Sequence, residues 1–268
     1  MTSPSLSDRD FVRFQRFIHA AAGITLSMSK RALVTGRLAK RLAHHALPGY
    51  GEYLDLLDSG EVADEVQTAV DLLTTNETYF FREARHFELL REQAELARQE
   101  RRTLRVWSAA CSSGEEVYSM AMVLDDVLGA GQWEVLGSDI STRVLKRART
   151  GLYPEERTRH LPAAYRKRYC LRGTGEHQGK VLVVRELRQQ VRFAQVNLND
   201  ELPHLGAFDI VFLRNVMIYF NTETKRRVVA RVLAPLVAGG HFCIGHSETL
   251  NDITGAVRQV APSIYRKP

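Results

Sequence analysis

Cysteine is scarce in this chain, with only Cys111, Cys170 and Cys243 among 268 residues. Their odd number, wide spacing and lack of a CxxC pair exclude a disulfide framework and a thiolate zinc site, leaving three reduced thiols and no metal site expected. No run approaches the ~18–20 apolar residues of a membrane span. The opening MTSPSLSDRDF carries acids and no apolar stretch, unlike a secretory leader, so the expected location is cytoplasmic. Internal repeats and low-complexity tracts are also missing. No G-x-G-x-x-G marks a pyrophosphate site, and no G-x-S-x-G elbow marks a hydrolase nucleophile. His246, Ser247 and Glu248 are adjacent in an extended segment, where they cannot hydrogen-bond in the order of a triad.

Charge of one sign is missing over long stretches. Phe11 to Gly51 holds no acid, against Arg13, Arg16, Lys30, Arg31, Arg37, Lys40 and Arg41. Leu42 to Phe81 holds no Lys or Arg, against acids from Glu52 to Glu77. At 100° per residue Lys30, Arg37, Arg41 and His44 share one helix face, beside an apolar stripe of Val34, Leu38 and Leu42. Such a face is either simply solvated or a basic ridge that docks an acidic helix; electrostatics of this kind steers encounter and orientation.

What is present is ordinary soluble-protein material, 44% hydrophobic and 25% charged, with a net charge of +6. Residues 7 to about 73 read as helices. Ser7 is placed to cap the first, Ser29 to open a second that runs to about Ala46, and two shorter ones follow near 50–59 and 62–73. A further helix is expected over 86–100. From Thr103 the pattern alternates strand and helix. LRVWSAA, WEVLGSD, FDIVFLRN and HFCIGHS read as strands, with helices from about Val117 to Leu128, after Ser141, and from about Thr222 to Leu236. The tail near Pro262–Lys267 adds a last edge strand. This is the pattern of a mainly parallel sheet covered on both faces. Between about Tyr169 and Ala194 the glycines of RGTGEHQG punctuate a small antiparallel insert.

Ligands of open α/β sheets bind beyond the carboxyl ends of the strands. There, small residues 109–114 are followed by Glu115 and Glu116, which suits a cationic or hydroxyl-bearing ligand better than a phosphate. Asp139 ends the second strand and is either a ribose acceptor or a helix cap. Arg214 and Asn215 bring a cation and an amide to the same crevice, and Asn197-Leu198 precedes a turn. In the linker TTNETYFFREARHF, Phe80 and Phe81 suit a domain seal, whereas Asn76, Thr78 and Arg82 suit contact with ligand or substrate.

TTNETYFFREARHF, VWSAACSSGEEVYS, GSDIS, RGTGEHQG, FDIVFLRNVMIYF and GHSE, in that order and spacing over nearly the whole chain, resemble the chemotaxis receptor methyltransferases (CheR family). The resemblance implies a Rossmann-like α/β S-adenosylmethionine methyltransferase sheet with a small antiparallel β insert, preceded by an all-α N-terminal domain. The division it implies is 1–74 for the helical receptor-docking domain, 75–85 for the linker and 86–268 for the methyltransferase domain, with a β-subdomain at about 168–195. The implied reaction is methyl transfer from S-adenosyl-L-methionine to receptor glutamates, with S-adenosyl-L-homocysteine as product. Carried over by position, cofactor contacts fall on Asn76, Thr78, Arg82, Glu116, Asp139, Asn197, Leu198, Arg214 and Asn215, and Tyr219 lies near the reactive methyl. Arg82 is expected to orient the incoming carboxylate. A receptor tether peptide is expected at Arg172, Gly173, Gly175 and Gly179, and the methylation helices at Lys30, Arg37 and Arg41. Cys111-Ser112-Ser113 and Val117 depart modestly from the family pattern. The competing readings are a nucleic-acid methyltransferase, suggested by the basic charge, and a non-catalytic receptor adaptor. The first lacks basic residues interleaved with stacking aromatics; the second leaves the retained Arg82, Asp139, Arg214 and Tyr219 without a purpose.

Overall fold

The structure, a computed structural model, describes residues 5–268 except Ala63. Two hydrophobic clusters fill the two faces of a seven-stranded sheet, and a third fills a helical domain in front of it.

The helical domain comprises α1 (Asp8–Ala22), α2 (Arg31–His44), α3 (Tyr50–Ser59) and α4 (Glu65–Leu73). Ser7 caps α1 by accepting from the Asp10 amide, and Phe11, Phe14, Ile18 and Ala22 form its buried stripe. Burying each of those large side chains stabilises the domain by about 1.5–3 kcal/mol. Ser29 does not cap α2. Its hydroxyl pairs with that of Ser27, and a short 3-10 turn over Met28–Lys30 leads into the helix.

The segregated charges meet inside this domain. Arg13 of α1 bonds Asp55 and Asp58 of α3 at 2.7 and 2.9 Å, and Arg31 pairs with Asp8. Arg41 bonds the buried Glu65, which also accepts from Tyr53 at 2.6 Å. Burial opposes ionisation of Glu65, yet Arg41, Tyr53 and His45 bring it down to about 2. Arg37 donates to the carbonyls of Leu72, Leu73 and Thr74 at 3.1, 3.1 and 2.7 Å, satisfying the orphan end of α4. The ridge expected at Lys30, Arg37 and Arg41 is therefore corrected. Arg37 and Arg41 point at partners within their own domain, and Lys30 alone of the three is exposed.

The second domain opens with α5 (Arg85–Gln99), β1 (Leu104–Ser108), α6 (Glu115–Leu128), β2 (Trp133–Asp139) and α7 (Thr142–Thr150). It closes with β6 (Val191–Gln195), β7 (Phe208–Leu213), α10 (Thr222–Leu233), β8 (Leu236–Ile244), β9 (Arg258–Ala261) and β10 (Ile264–Arg266). The sheet order is β6-β2-β1-β7-β8-β10-β9, parallel from β6 to β8 and antiparallel at β10 and β9. Central strands are apolar on both faces because both are covered. Leu104 and Val106 of β1 face the cluster with α5 and α6, while Trp107 faces the one with α10. The tail strand β10 is not the edge; β9 takes that position beside it.

Between these parts lie β3 (Leu152–Pro154), α8 (Ala163–Tyr169), β4 (Cys170–Arg172), β5 (Lys180–Val183) and α9 (Arg185–Gln190). The antiparallel insert has the order β3-β5-β4, so it begins at Leu152 and ends at Val183, not at about 168–195. VRFAQ, expected in it, forms β6 and pairs with β2 of the main sheet. Period-two alternation marks a strand but not its partner, and three-residue β3 is too short to alternate visibly.

Candidate active site

The two domains are joined by a buried carboxylate. Asp71 of α4 accepts from the Thr142 amide at 3.0 Å, its hydroxyl at 2.7 Å and the Arg143 amide at 3.2 Å. This places an acid on the amides that open α7. It also sets the small domain against the carboxyl end of the sheet.

A cavity open to solvent lies between them. Its floor is the turn after β1, where Ala109, Ala110 and Ser112 let a ligand reach the backbone. Gly114 closes that turn at φ 93°, and a Cβ there would sit 2.8 Å from the Ala148 Cβ, so no other residue fits. Ser141 caps α7, accepting from the Val144 amide.

Asp139 ends β2 in this floor, 7% exposed. One carboxylate oxygen accepts from the Ser112 amide and the other from the Ser141 amide, both at 2.9 Å. Each retains a lone pair for a further donor. Burial, with Asp71 nearby, pushes the carboxyl up to about 6 despite those amides.

The opposite wall holds the two cations of the cavity lining, Arg82 and Arg214. Arg214 is buried and spent. It meets Glu116 at 2.6 Å and Glu83 at 3.1 Å and donates to the Arg82 carbonyl. Burial works against its charge, but the two carboxylates outweigh that and keep it protonated. Glu116 also accepts from the Ser108 hydroxyl at 2.7 Å. Arg82, by contrast, makes one hydrogen bond, to the Glu77 carbonyl at 3.1 Å, and lies over the Tyr79 ring.

Asn76 and Thr78 from the linker, Asn197 and Leu198 after β6, and Asn215 and Tyr219 after β7 complete the ring of residues singled out by sequence. All of them line this one cavity together with Arg82, Glu116, Asp139 and Arg214. Arg172, Gly173, Gly175 and Gly179 do not; Arg172 ends β4, and the three glycines sit in the β4–β5 connection of the insert. A Cβ on Gly173 would stand 1.9 Å from the His177 carbonyl, which explains the glycine there.

Sequence reasoning missed two parts of the site. Ala22 and Ile24 bring the end of α1 into the cavity wall, and the Thr25 amide bonds the Tyr219 carbonyl at 2.8 Å. Gly23, left-handed at the end of α1, was the available signal of a chain turning there. Glu248 clamps the turn after β7, accepting from the amides of Asn215, Met217 and Gly245 at 2.9, 2.8 and 2.7 Å. It holds Asn215 in the left-handed region at φ 57°. An acid two residues past a histidine gives no hint of such a reach.

The lining fits S-adenosylmethionine. It offers buried acceptors to a ribose diol, acids to a sulfonium and ammonium, and no cationic nest for phosphate. The fold and this cavity define a Rossmann-like S-adenosylmethionine methyltransferase domain behind an all-α domain. The description "CheR methyltransferase, SAM binding domain" matches residues 76–265, and "CheR methyltransferase, all-alpha domain" matches residues 9–74. The "Chemotaxis protein methyltransferase" of Escherichia coli is 44% identical over 93% of this chain and 87% of its own length. "Chemotaxis protein methyltransferase 2" of Pseudomonas aeruginosa is 44% identical over 96% and 92%. The chain belongs to the CheR family of chemotaxis methyltransferases, and S-adenosyl-L-methionine is its cofactor.

Proposed function

We propose that the chain methylates glutamate side chains of chemoreceptors in the cytoplasm, forming glutamate methyl esters and S-adenosyl-L-homocysteine. The observation that carries this reading is the inequality of the two cavity arginines. Arg214 is neutralised by Glu116 and Glu83, whereas Arg82 has no carboxylate partner among the described residues. A free guanidinium beside a cavity suits an incoming carboxylate.

When bound, the cofactor supplies an electrophilic methyl group on a sulfonium. A receptor glutamate, pKa near ~4.3, is already ionised at neutral pH and needs no general base. Its oxygen bonds to the methyl carbon as the carbon–sulfur bond breaks, and the electron pair leaves with sulfur, so no proton moves. The protein's work is alignment and charge control. Asn76, Thr78, Glu116, Asp139, Asn197, Leu198, Arg214 and Asn215 are proposed to grip the cofactor, with Arg82 at the boundary between cofactor and acceptor. Arg82 orients the carboxylate, and Tyr219, held by the Thr25 amide, shapes the transfer chamber.

The outer strand of the insert, β4, has an open edge, which suits a receptor tether added as a further strand near Arg172, Gly173, Gly175 and Gly179. Lys30 remains as an exposed cation for the methylation helices.

The test incubates the protein with methyl-labelled cofactor and receptor cytoplasmic fragments. Label released as methanol by mild base identifies an ester; base-stable label on nucleic acid would transfer the assignment there. Arg82→Ala is expected to lower transfer by roughly 10²-fold or more while changing cofactor affinity far less. Equal losses in both would reassign Arg82 to cofactor binding.

A further inference from the structure

Just outside the cavity wall, Glu83, His86 and His246 converge, with one ligand atom from each within 4.8 Å of the others. Glu83 and His86 stand where the linker enters α5, and His246 lies in the turn after β8. The His86 ring is fully buried, and its Nε2 lies 2.8 Å from the Ser263 hydroxyl. With the Ser263 hydroxyl donating to the Pro262 carbonyl at 2.7 Å, its oxygen can accept from Nε2–H, the tautomer that leaves Nδ1 to a ligand. Nδ1 is left with a lone pair and no hydrogen-bond partner. It stands 3.5 Å from a Glu83 carboxylate oxygen, and His246 Nε2 stands 3.7 Å from the same oxygen. That oxygen also accepts from Arg214 Nε at 3.3 Å, and the other Glu83 oxygen accepts from the His246 amide at 3.1 Å, so the buried Nδ1 is the group left unsatisfied in the gap.

We propose that Glu83, His86 and His246 form a binding site for a divalent transition-metal ion of the zinc type. Two imidazoles and a carboxylate are a ligand set that such borderline ions favour. Ligand atoms of a tetrahedral zinc site stand about 3.3 Å apart, so the two gaps to Glu83, at 3.5 and 3.7 Å, need little closure. The fourth position opens to solvent, because the His246 side chain is 55% exposed. The hydrogen bond from His86 to Ser263 is the kind of outer contact that orients a ligating imidazole. Glu83 would share its carboxylate between the ion and Arg214, 3.1 Å away, while Glu116 at 2.6 Å keeps its own bond to that arginine. None of the three ligands lines the cofactor cavity. The ion therefore ties the linker to the turn after β8 without entering the reaction chamber.

Equilibrium dialysis of the chelator-treated full-length protein against Zn²⁺ tests the site, with cobalt absorption as the geometric readout. The unaltered protein is expected to hold about one equivalent that His246→Ala lacks, and to give tetrahedral cobalt bands that the variant does not. His246 is exposed, so this variant keeps its fold, which circular dichroism checks. His44→Ala alters the other imidazole pair, His44 and His45, and is expected to keep the equivalent. Equal binding by the unaltered protein and His246→Ala, no binding by either, or loss confined to His44→Ala would overturn the proposal.

Discussion

At the scale of single residues, Ser141 rather than Asp139 caps α7, so of the two alternatives the sequence left for Asp139 the ribose acceptor is the one to test. One oxygen supports the start of α7 through the Ser141 amide, and both retain capacity for a sugar hydroxyl. Its carboxyl, raised to about 6, loses its charge within an accessible pH range. A ligand that needs the ionised acceptor binds less tightly as pH falls through that value. Between pH 7.5 and 5.5 cofactor affinity should drop about fourfold by that population argument. Asp139→Asn should bind weakly at both pH values and show no such change. Calorimetry checks this, and an unaltered slope in the variant would remove Asp139 from the cofactor's grip. The identity of this residue could be read from its place after a β-run. Its raised proton affinity could not, because that comes from burial and from Asp71, which is distant in sequence.

At the scale of elements, α2 shows what periodicity conveys. It put Arg37 and Arg41 on one side of a helix, and both reach α4, whereas Lys30 falls in the 3-10 turn before it; a helical wheel does not say what that side meets. The answer was also in the sequence, in the acid-rich half of the same domain, but needed the packing of α2 on α4 to be seen. Arg37→Met removes charged donors from the carbonyls that end α4 and should cost about 2–3 kcal/mol, measured by thermal melting. Lys30→Glu, on an exposed turn, should stay within about 0.5 kcal/mol. It should lower receptor methylation at low salt and less so at high salt. If Arg37→Met melts unchanged, the capping role is wrong; if Lys30→Glu methylates normally at low salt, that surface does not dock the receptor. The insert teaches the same lesson. Its glycines and KVLVV were legible, whereas the short β3 and the transfer of VRFAQ to the main sheet depend on which strand finds which partner.

At the scale of the whole molecule, the α/β alternation and the all-α front were plain from patterning, and the motifs other than the glycine hairpin contribute residues in or beside one cavity. What patterning left out was the meeting of the domains. Asp71→Ala should lower stability by about 2–3 kcal/mol by orphaning the Thr142 and Arg143 amides. Because Asp71 raises Asp139, its removal should also move the midpoint of pH-dependent cofactor binding downward. A melting shift without the midpoint shift would confine Asp71 to holding the domains together.

The hydrogen bond from Thr25 to the Tyr219 carbonyl, with Ile24 paired to Phe220 beside it, makes the first helix part of the chamber it leads to. On the proposed function, recognition and chemistry share a wall. Whatever grasps the front of the enzyme pulls on the backbone beside the methyl-transfer chamber, and a cofactor seated there braces the front in return.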